Sequence, residues 1–564
     1  MRPKAAFLVF ALVSLVRAAL LGAFDLMPQS AYYATAYAQH PALSYYDHPP
    51  LIGWLLWLGT ALLGSTTFGV RATVFVTTLG TQLAVFALAR RFLDPAGAGR
   101  ALALLATGGV AVLMSFVAVP DVPLLLFWAL ALLALEAAVF GPRDGAEAGA
   151  GSEQRAGIGA GIGPHRRTGA WAAAGAAMGL AFLGKYTGVF LQGGLVLFLL
   201  VSREHRRLLR TPGPWLCLAL AQAVSLPVYV WNARHGWASF AYQGAGRASE
   251  ARFDPDFALG FLGSQMVVLL PVAFFAFLAA AGRQGWRAVR RLGPPEAGEA
   301  GERTLFLLCF AVPVFATCVV LSPVTWVKTN WALPAYLSGL ILAAGAIGRR
   351  GMRWHLVTGV LLHAALAVQV LWYPVPIESD DTWFGWSRLA GAVEARLAEH
   401  PGAFVFSADH YKTTAELRFY GEAPVYGMNV LGWNALHYEY LGEDLHALSG
   451  RDALFVRNEA GLEPGPPSGQ TERYLDRVRQ HFREVRELEP IEIRRRGEVV
   501  RRFRVFLCRE YLGPEPVPDR DGGGRKRISV PSILLQDKTR RTSRKPGRED
   551  RGRGFRTATD RAPA

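Results

Sequence analysis

Long apolar runs dominate the chain as far as about Tyr373, and shorter mixed segments follow. Runs of roughly 18 to 24 residues read as membrane-spanning helices, because about 20 helical residues cross the hydrocarbon layer. They fall at about 5–24, 68–89, 101–119, 122–140, 169–184, 187–202, 214–231, 258–281, 304–322, 331–348 and 354–373, eleven in all. The first follows Arg2 and Lys4 but lacks a small-residue cleavage site, so it reads as a retained span and not a signal peptide.

Two connecting stretches stand apart. Residues 25–67 form a long first loop holding an apolar, helix-like segment from Leu51 to Leu63. That segment follows Tyr45-Tyr46-Asp47-His48-Pro49-Pro50. The proline pair predicts a rigid start to the helix, since Pro suits the first turn and holds its predecessor extended. Residues 142–167 are Gly/Ala-rich and read as a flexible linker.

Beyond Tyr373 the periodicity becomes that of a small α/β domain, residues 374–512, with its regular part at about 383–510. Gly402–Ser407 and Ala453–Arg457 read as buried strands, Thr413–Tyr420 and Glu472–Phe482 as helices, and Val499–Cys508 as a last strand. Residues 513–564 are rich in Arg, Lys, Asp, Gly and Pro and read as a disordered basic tail. The predicted class is an α-helical polytopic membrane protein, residues 1–373, followed by this α/β domain.

The formal charge of +16 changes the picture only through its placement. Loops carrying Arg90-Arg91, Arg166-Arg167, Arg203/Arg206/Arg207, Arg287/Arg290/Arg291 and Arg349-Arg350/Arg353 all fall on the side of the N-terminus. Roughly twenty Lys/Arg lie there, against about five or six in the opposite loops, which predicts a cytoplasmic N-terminus. An odd span count then puts 25–67, the turn at Pro120-Asp121, 232–257, 323–330 and the α/β domain outside. Loop topology and the tail account for the basic excess, so no nucleic-acid partner is expected. Cys217, Cys309 and Cys318 lie in apolar runs and Cys508 stands alone, so neither disulfides nor a thiolate metal site is expected.

Ionisable groups in or beside apolar spans are costly and mark candidate chemistry. Asp121 sits between Pro120 and Pro123 in a tight turn, where capping the next helix is the plain alternative. Lys185-Tyr186 interrupts an apolar stretch at an outer end, where a snorkelling lysine is the alternative. Lys328-Thr329-Asn330-Trp331 opens the tenth span, Arg17 lies within the first, and Asp25 follows its end. Asp47 has its own plain reading as a helix cap.

Together these residues set carboxylates (Asp25, Asp47, Asp121), cations (Lys185, Lys328, His48) and aromatics (Tyr32, Tyr33, Tyr45, Tyr46, Trp331) on one membrane face. The set suits an anionic, lipid-linked substrate. Cations hold a phosphate leaving group and a carboxylate accepts the proton of an attacking hydroxyl. Aromatics and further carboxylates support a sugar ring with oxocarbenium character. His48 beside carboxylates leaves a divalent cation open, although no ligand spacing supports one.

At these residues the chain resembles bacterial integral-membrane glycosyltransferases of the family 39 type, relatives of the protein O-mannosyltransferases and the lipid A aminoarabinose transferase. The resemblance covers roughly 10–440. It rests on Ala31-Tyr-Tyr33, Ser44-Tyr-Tyr-Asp-His-Pro-Pro-Leu51, Pro120-Asp-Val-Pro-Leu124, Gly179-Leu-Ala-Phe-Leu-Gly-Lys-Tyr186 and Asn330-Trp-Ala-Leu-Pro-Ala-Tyr336. Ala408-Asp-His-Tyr411 followed by Ala415-Glu-Leu417 adds weaker support.

The resemblance implies the GT-C fold and inverting transfer from a polyprenyl-phosphate sugar to a lipid, glycan or protein acceptor outside the cytoplasm. It implies Asp121, Asp47 and Asp25 as candidate catalytic acids. His48, Tyr32, Tyr33, Tyr46, Lys185, Tyr186, Lys328 and Trp331 become candidate substrate contacts, with Lys185 and Lys328 on phosphate. One departure stands out: the acidic pair that the family carries before Ala-Tyr-Tyr is here Gln29-Ser30. That substitution motivates a second reading, a silent relative that binds lipid-linked sugar without turnover. A third, a lipid or sugar transporter, predicts broken half-helices at mid-membrane and an internal repeat.

Overall fold

A computed structural model describes residues 1–141, 164–246, 252–290, 298–377, 379–459 and 467–514. Most of the predicted tail, from residue 515 on, and most of the predicted linker lie outside the described residues.

Each apolar run is helical. The helices are α1 (Pro3–Ala19), α2 (Pro28–Tyr32), α3 (Leu51–Leu63), α4 (Thr67–Phe92), α5 (Pro95–Thr107), α6 (Gly109–Phe116), α7 (Asp121–Phe140), α8 (Pro164–Gly184) and α9 (Val189–Val201). They continue as α10 (Pro212–Arg234), α11 (Ala238–Ala241), α12 (Pro255–Leu269), α13 (Pro271–Arg290), α14 (Glu299–Leu321), α15 (Leu333–Ala346) and α16 (Arg349–Trp372). Helix α16 ends where Tyr373 turns left-handed, at φ 48°.

Two runs are bent. Between α5 and α6 the axis turns by 53°, and between α12 and α13 by 108°. The second bend corrects the straight span expected at 258–281. Pro271 cannot donate the helical hydrogen bond, and Leu270 before it takes a positive φ of 64°. Among the described residues, five helices are long and apolar enough to cross a membrane, or seven if each bent pair counts as one crossing. Arg17, flagged inside the first run, is fully buried and satisfied locally. Its guanidinium bonds the Val13 carbonyl and the hydroxyls of Ser14 and Ser115.

After Tyr373 come α17 (Trp386–Ala398), α18 (Lys412–Tyr420), α19 (Gly469–His481) and five strands: β1 (Phe404–Phe406), β2 (Val425–Tyr426), β3 (Ala453–Glu459), β4 (Phe482–Arg495) and β5 (Glu498–Tyr511). The sheet order is β2-β1-β3-β5-β4. Strand β1 runs parallel to β2 and β3, and β5 runs antiparallel to β3 and β4. The two-residue loop Arg496-Gly497 closes the last hairpin with positive φ at both positions, as such tight turns require.

One face of the sheet packs Trp386, Leu389, Val405, Leu454 and Phe503 into a core of its own. The other face, through Phe406 and Phe455, belongs to the same continuous core as Tyr32, Tyr37 and the membrane helices. Helix α18 lies against α2, so the C-terminal part forms a wall of the first loop.

Candidate active site

Asp47 lies where the loop and the C-terminal part meet. It is 5% exposed and does not cap α3, whose first turn receives no side-chain cap. Its Oδ1 instead accepts hydrogen bonds from Tyr32 Oη at 2.8 Å and Tyr37 Oη at 2.7 Å. Backbone geometry makes that pairing possible. Residues five apart on an α-helix point about 140° away from each other. From Tyr33 to Ala38 the chain is a π-helix, whose wider turn brings such residues to one face.

Burial pushes the Asp47 carboxyl above its usual pKa, and the two tyrosine hydroxyls and the Lys328 charge pull it part of the way back. Burial and the same carboxylate drive Tyr32 and Tyr37 well above 10, so both remain protonated donors at neutral pH. The rings enclose the site: Tyr32 packs 4.8 Å from Tyr411 and 5.3 Å from Tyr33, and Tyr37 stacks on Tyr45 at 3.7 Å.

Asp121 opens α7 and is 1% exposed. Lys185 Nζ donates to its Oδ1 at 2.9 Å and Oδ2 at 3.0 Å, and Asn330 Nδ2 donates to Oδ2 at 2.6 Å. The predicted alternatives for these residues therefore do not describe them: Asp121 caps no helix and Lys185 does not reach for solvent. A glycine permits the contact. A Cβ on Gly184 would stand 2.8 Å from the Leu124 amide nitrogen, so only glycine lets the end of α8 press on the first turn of α7. Lys185 then takes an extended conformation beyond it.

The remaining predicted residues fall around these two centres or away from them. Tyr46 stacks on Tyr440 and packs on Tyr242, and its backbone N–H donates to His437 Nδ1 at 3.2 Å. His48 is half-buried, 6.1 Å from the Tyr33 ring. Tyr186 bonds Ser239, whose hydroxyl reaches the Tyr45 carbonyl. Lys328 is exposed and its charge acts on both Asp47 and His410, while half-buried Trp331 packs on the main core.

Asp25 is the exception. Its carboxylate accepts from the Ser387 amide at 3.0 Å, its carbonyl accepts from Arg71, and its charge acts on Glu416 and Tyr420. It ties the end of α1 to α17 and stands apart from the Asp47 hydrogen-bond set.

Several site residues escape the sequence reading. Tyr37 needs the π-turn, and His437 needs the fold of the C-terminal part; Ala408-Asp-His-Tyr411 carries the one local signal. His410 there holds a φ of 70°, with a buried Nδ1 that makes no hydrogen bond. Gln29 donates to Asp381 Oδ1 at 2.8 Å, and Lys412 Nζ pairs with the same atom at 2.8 Å. Among the described residues no group of three or more His, Cys, Asp or Glu could hold a metal ion.

Residues 47–146 and 162–231 match the dolichyl-phosphate-mannose-protein mannosyltransferase family, a match that takes in Asp47, Asp121 and Lys185. The chain is 28% identical to the lipid A galacturonosyltransferase RgtD of Rhizobium johnstonii over 347 residues, 61% of this chain and 65% of that relative. Crystal structures of ArnT from Cupriavidus metallidurans, in the apo state and bound to undecaprenyl phosphate, superpose with TM-scores of 0.57 and 0.57 at 16% identity. They cover 89% and 90% of this chain and 98% of each ArnT chain. The fold is thus that of ArnT. Over those two stretches the chain resembles the protein-mannosyltransferase family, and its apolar helices mark a multi-pass membrane protein.

Proposed function

We propose that the protein transfers a sugar, with inversion, from a polyprenyl-phosphate donor to an acceptor hydroxyl at the outer face of the inner membrane. The observation that carries this reading is the buried Asp47 carboxylate, held through one oxygen by Tyr32 and Tyr37 inside a wall of aromatic rings. The other oxygen accepts the proton as the acceptor attacks the anomeric carbon, and burial suits the group to act as a base near neutral pH. Lys328 stands by the leaving phosphate, and Asp121 and Lys185 hold the neighbouring wall as a fixed ion pair. The undecaprenyl phosphate bound by ArnT supports the donor class.

Eleven crossings, a cytoplasmic N-terminus and an extracytoplasmic α/β domain complete the reading, supported by loop charge and by helices at every apolar run. The test is turnover of radiolabelled polyprenyl-phosphate sugars by reconstituted protein, with a membrane extract as acceptor. Asp47→Asn is expected to lower transfer at least about 100-fold, as loss of a general base does. Wild-type rates in that variant would refute the assignment. Saturable donor binding without turnover by the wild type would favour a silent relative, the reading that Gln29-Ser30 motivates.

A further inference from the structure

Behind the Asp47 site lies a cavity of about 330 Å³, separated from it by one residue. That size falls at the lower end for small-molecule sites, about 300–1,000 Å³. His437 forms the partition. On one side its backbone N–H donates to Tyr32 Oη, whose hydroxyl donates to Asp47. Its Nδ1 accepts from the Tyr46 amide, which leaves the ring proton on Nε2. Burial lowers its pKa to about 3, so the ring is a neutral donor.

On the other side the ring lines the cavity with Trp231 and Tyr440. Two stacked pairs build this floor: Trp231 on His235 at 4.0 Å and 12°, and His437 on Tyr440 at 5.7 Å and 9°. The rim carries Arg234, His235 and His40, all exposed. Arg234 has no ion-pair partner among the described residues, and no carboxylate lines the cavity. An aromatic floor with the Arg234 guanidinium at its rim suits one ligand chemistry: a sugar ring, whose C–H faces pack on π-systems, bearing a negative group for that guanidinium.

We propose that this cavity binds a phosphate- or carboxylate-bearing saccharide unit of the acceptor, next to the hydroxyl that is glycosylated. The inference rests on reading Asp47 as the transferase base, because it places the acceptor one residue from that carboxylate.

Full-length protein in neutral-lipid nanodiscs would be titrated with glucose 6-phosphate, glucuronate, glucose and inorganic phosphate, with binding followed by saturation-transfer NMR. Glucose 6-phosphate or glucuronate should bind at least about tenfold more tightly than glucose or phosphate alone, and Arg234→Gln should remove that advantage. Equal binding of glucose, equal binding of bare phosphate, no binding, or indifference to Arg234→Gln would each overturn the proposal. Undecaprenyl phosphate or phosphatidic acid in the nanodisc should leave the probe bound. Displacement would assign the cavity to a lipid phosphate and overturn it too. These readouts need no turnover. Probe binding alongside an Asp47→Asn variant with wild-type transfer would end the transferase-base reading alone. Loss of transfer in that variant without probe binding would end the cavity proposal alone.

Discussion

The Lys185 ammonium sits 2.9 Å from one oxygen of Asp121 and 3.0 Å from the other, so a single cation closes over a carboxylate from a different helix. Both side chains are buried, at 8% and 1% exposure. A buried pair of this kind contributes little net stability over an apolar replacement, but removing one partner strands the other at a cost of about 3–5 kcal/mol. With Asn330 as third member, the pair suits a role in shaping the proposed site more than in strengthening the bundle.

That asymmetry yields the first prediction. Lys185→Met alone should lower the thermal midpoint of the purified protein markedly, leaving Asp121 buried without its cation. The double variant Lys185→Met/Asp121→Asn should recover most of the midpoint and still transfer no sugar. Equal midpoints for the single and double variants would show that the two charges are not coupled.

Asp47 makes the pH dependence calculable in sign. Burial raises its pKa, and the Tyr32 and Tyr37 hydroxyls oppose that rise by bonding the charged form. A base works only when deprotonated, so kcat/KM should fall on the acid side through the raised pKa. Tyr37→Phe removes one opposing bond, worth about 1.5–3 kcal/mol to a charged acceptor, so the acid limb should move to higher pH by about one to two units. A pH–rate profile checks it. A shift to lower pH would contradict this role for the tyrosines.

How much of this was legible depends on the kind of signal. Asp47, Asp121 and Lys185 stand out because charge in apolar sequence is conspicuous. Their partners do not: Tyr37 meets Asp47 only through the π-turn, and His437 only because the C-terminal part folds back over the loop. Strand β4 escaped for another reason. Its run from Phe482 to Arg495 is full of Glu and Arg, and Pro490 interrupts it. Those are the marks of a protected sheet edge and not of a buried strand. Asp25 misled because nearness in sequence to Ala31-Tyr-Tyr33 does not place its side chain there; α17 claims it instead.

His410 links strain to the same site. Its φ of 70° is costly for a residue with a Cβ, and its flanking Asp409 is pinned by Ser407 and Thr413. Burial lowers the imidazole pKa to about 4, so it is neutral at pH 7 and offers hydrogen bonds without charge. His410→Gly should relieve about 1–3 kcal/mol of backbone strain, keep the thermal midpoint at or above wild type, and raise the donor KM about tenfold. A lowered midpoint with an unchanged KM would make His410 a packing residue.

The 108° bend at Leu270-Pro271 bears on the orientation of everything after it. If α12 and α13 together cross the membrane, Gly348 lies on the cytoplasmic side and the α/β sheet outside. If they enter and return on one side, both assignments reverse while Ser65, before the bend, keeps its place. Both positions are exposed, and the four native cysteines are buried, so background labelling is low. Ser65→Cys should react with a membrane-impermeant maleimide in intact spheroplasts, and Gly348→Cys only after permeabilisation. Labelling of both in intact spheroplasts would make the bent pair a re-entrant loop. The sheet would then sit in the cytoplasm, which the packing of α18 on α2 beside Asp47 argues against.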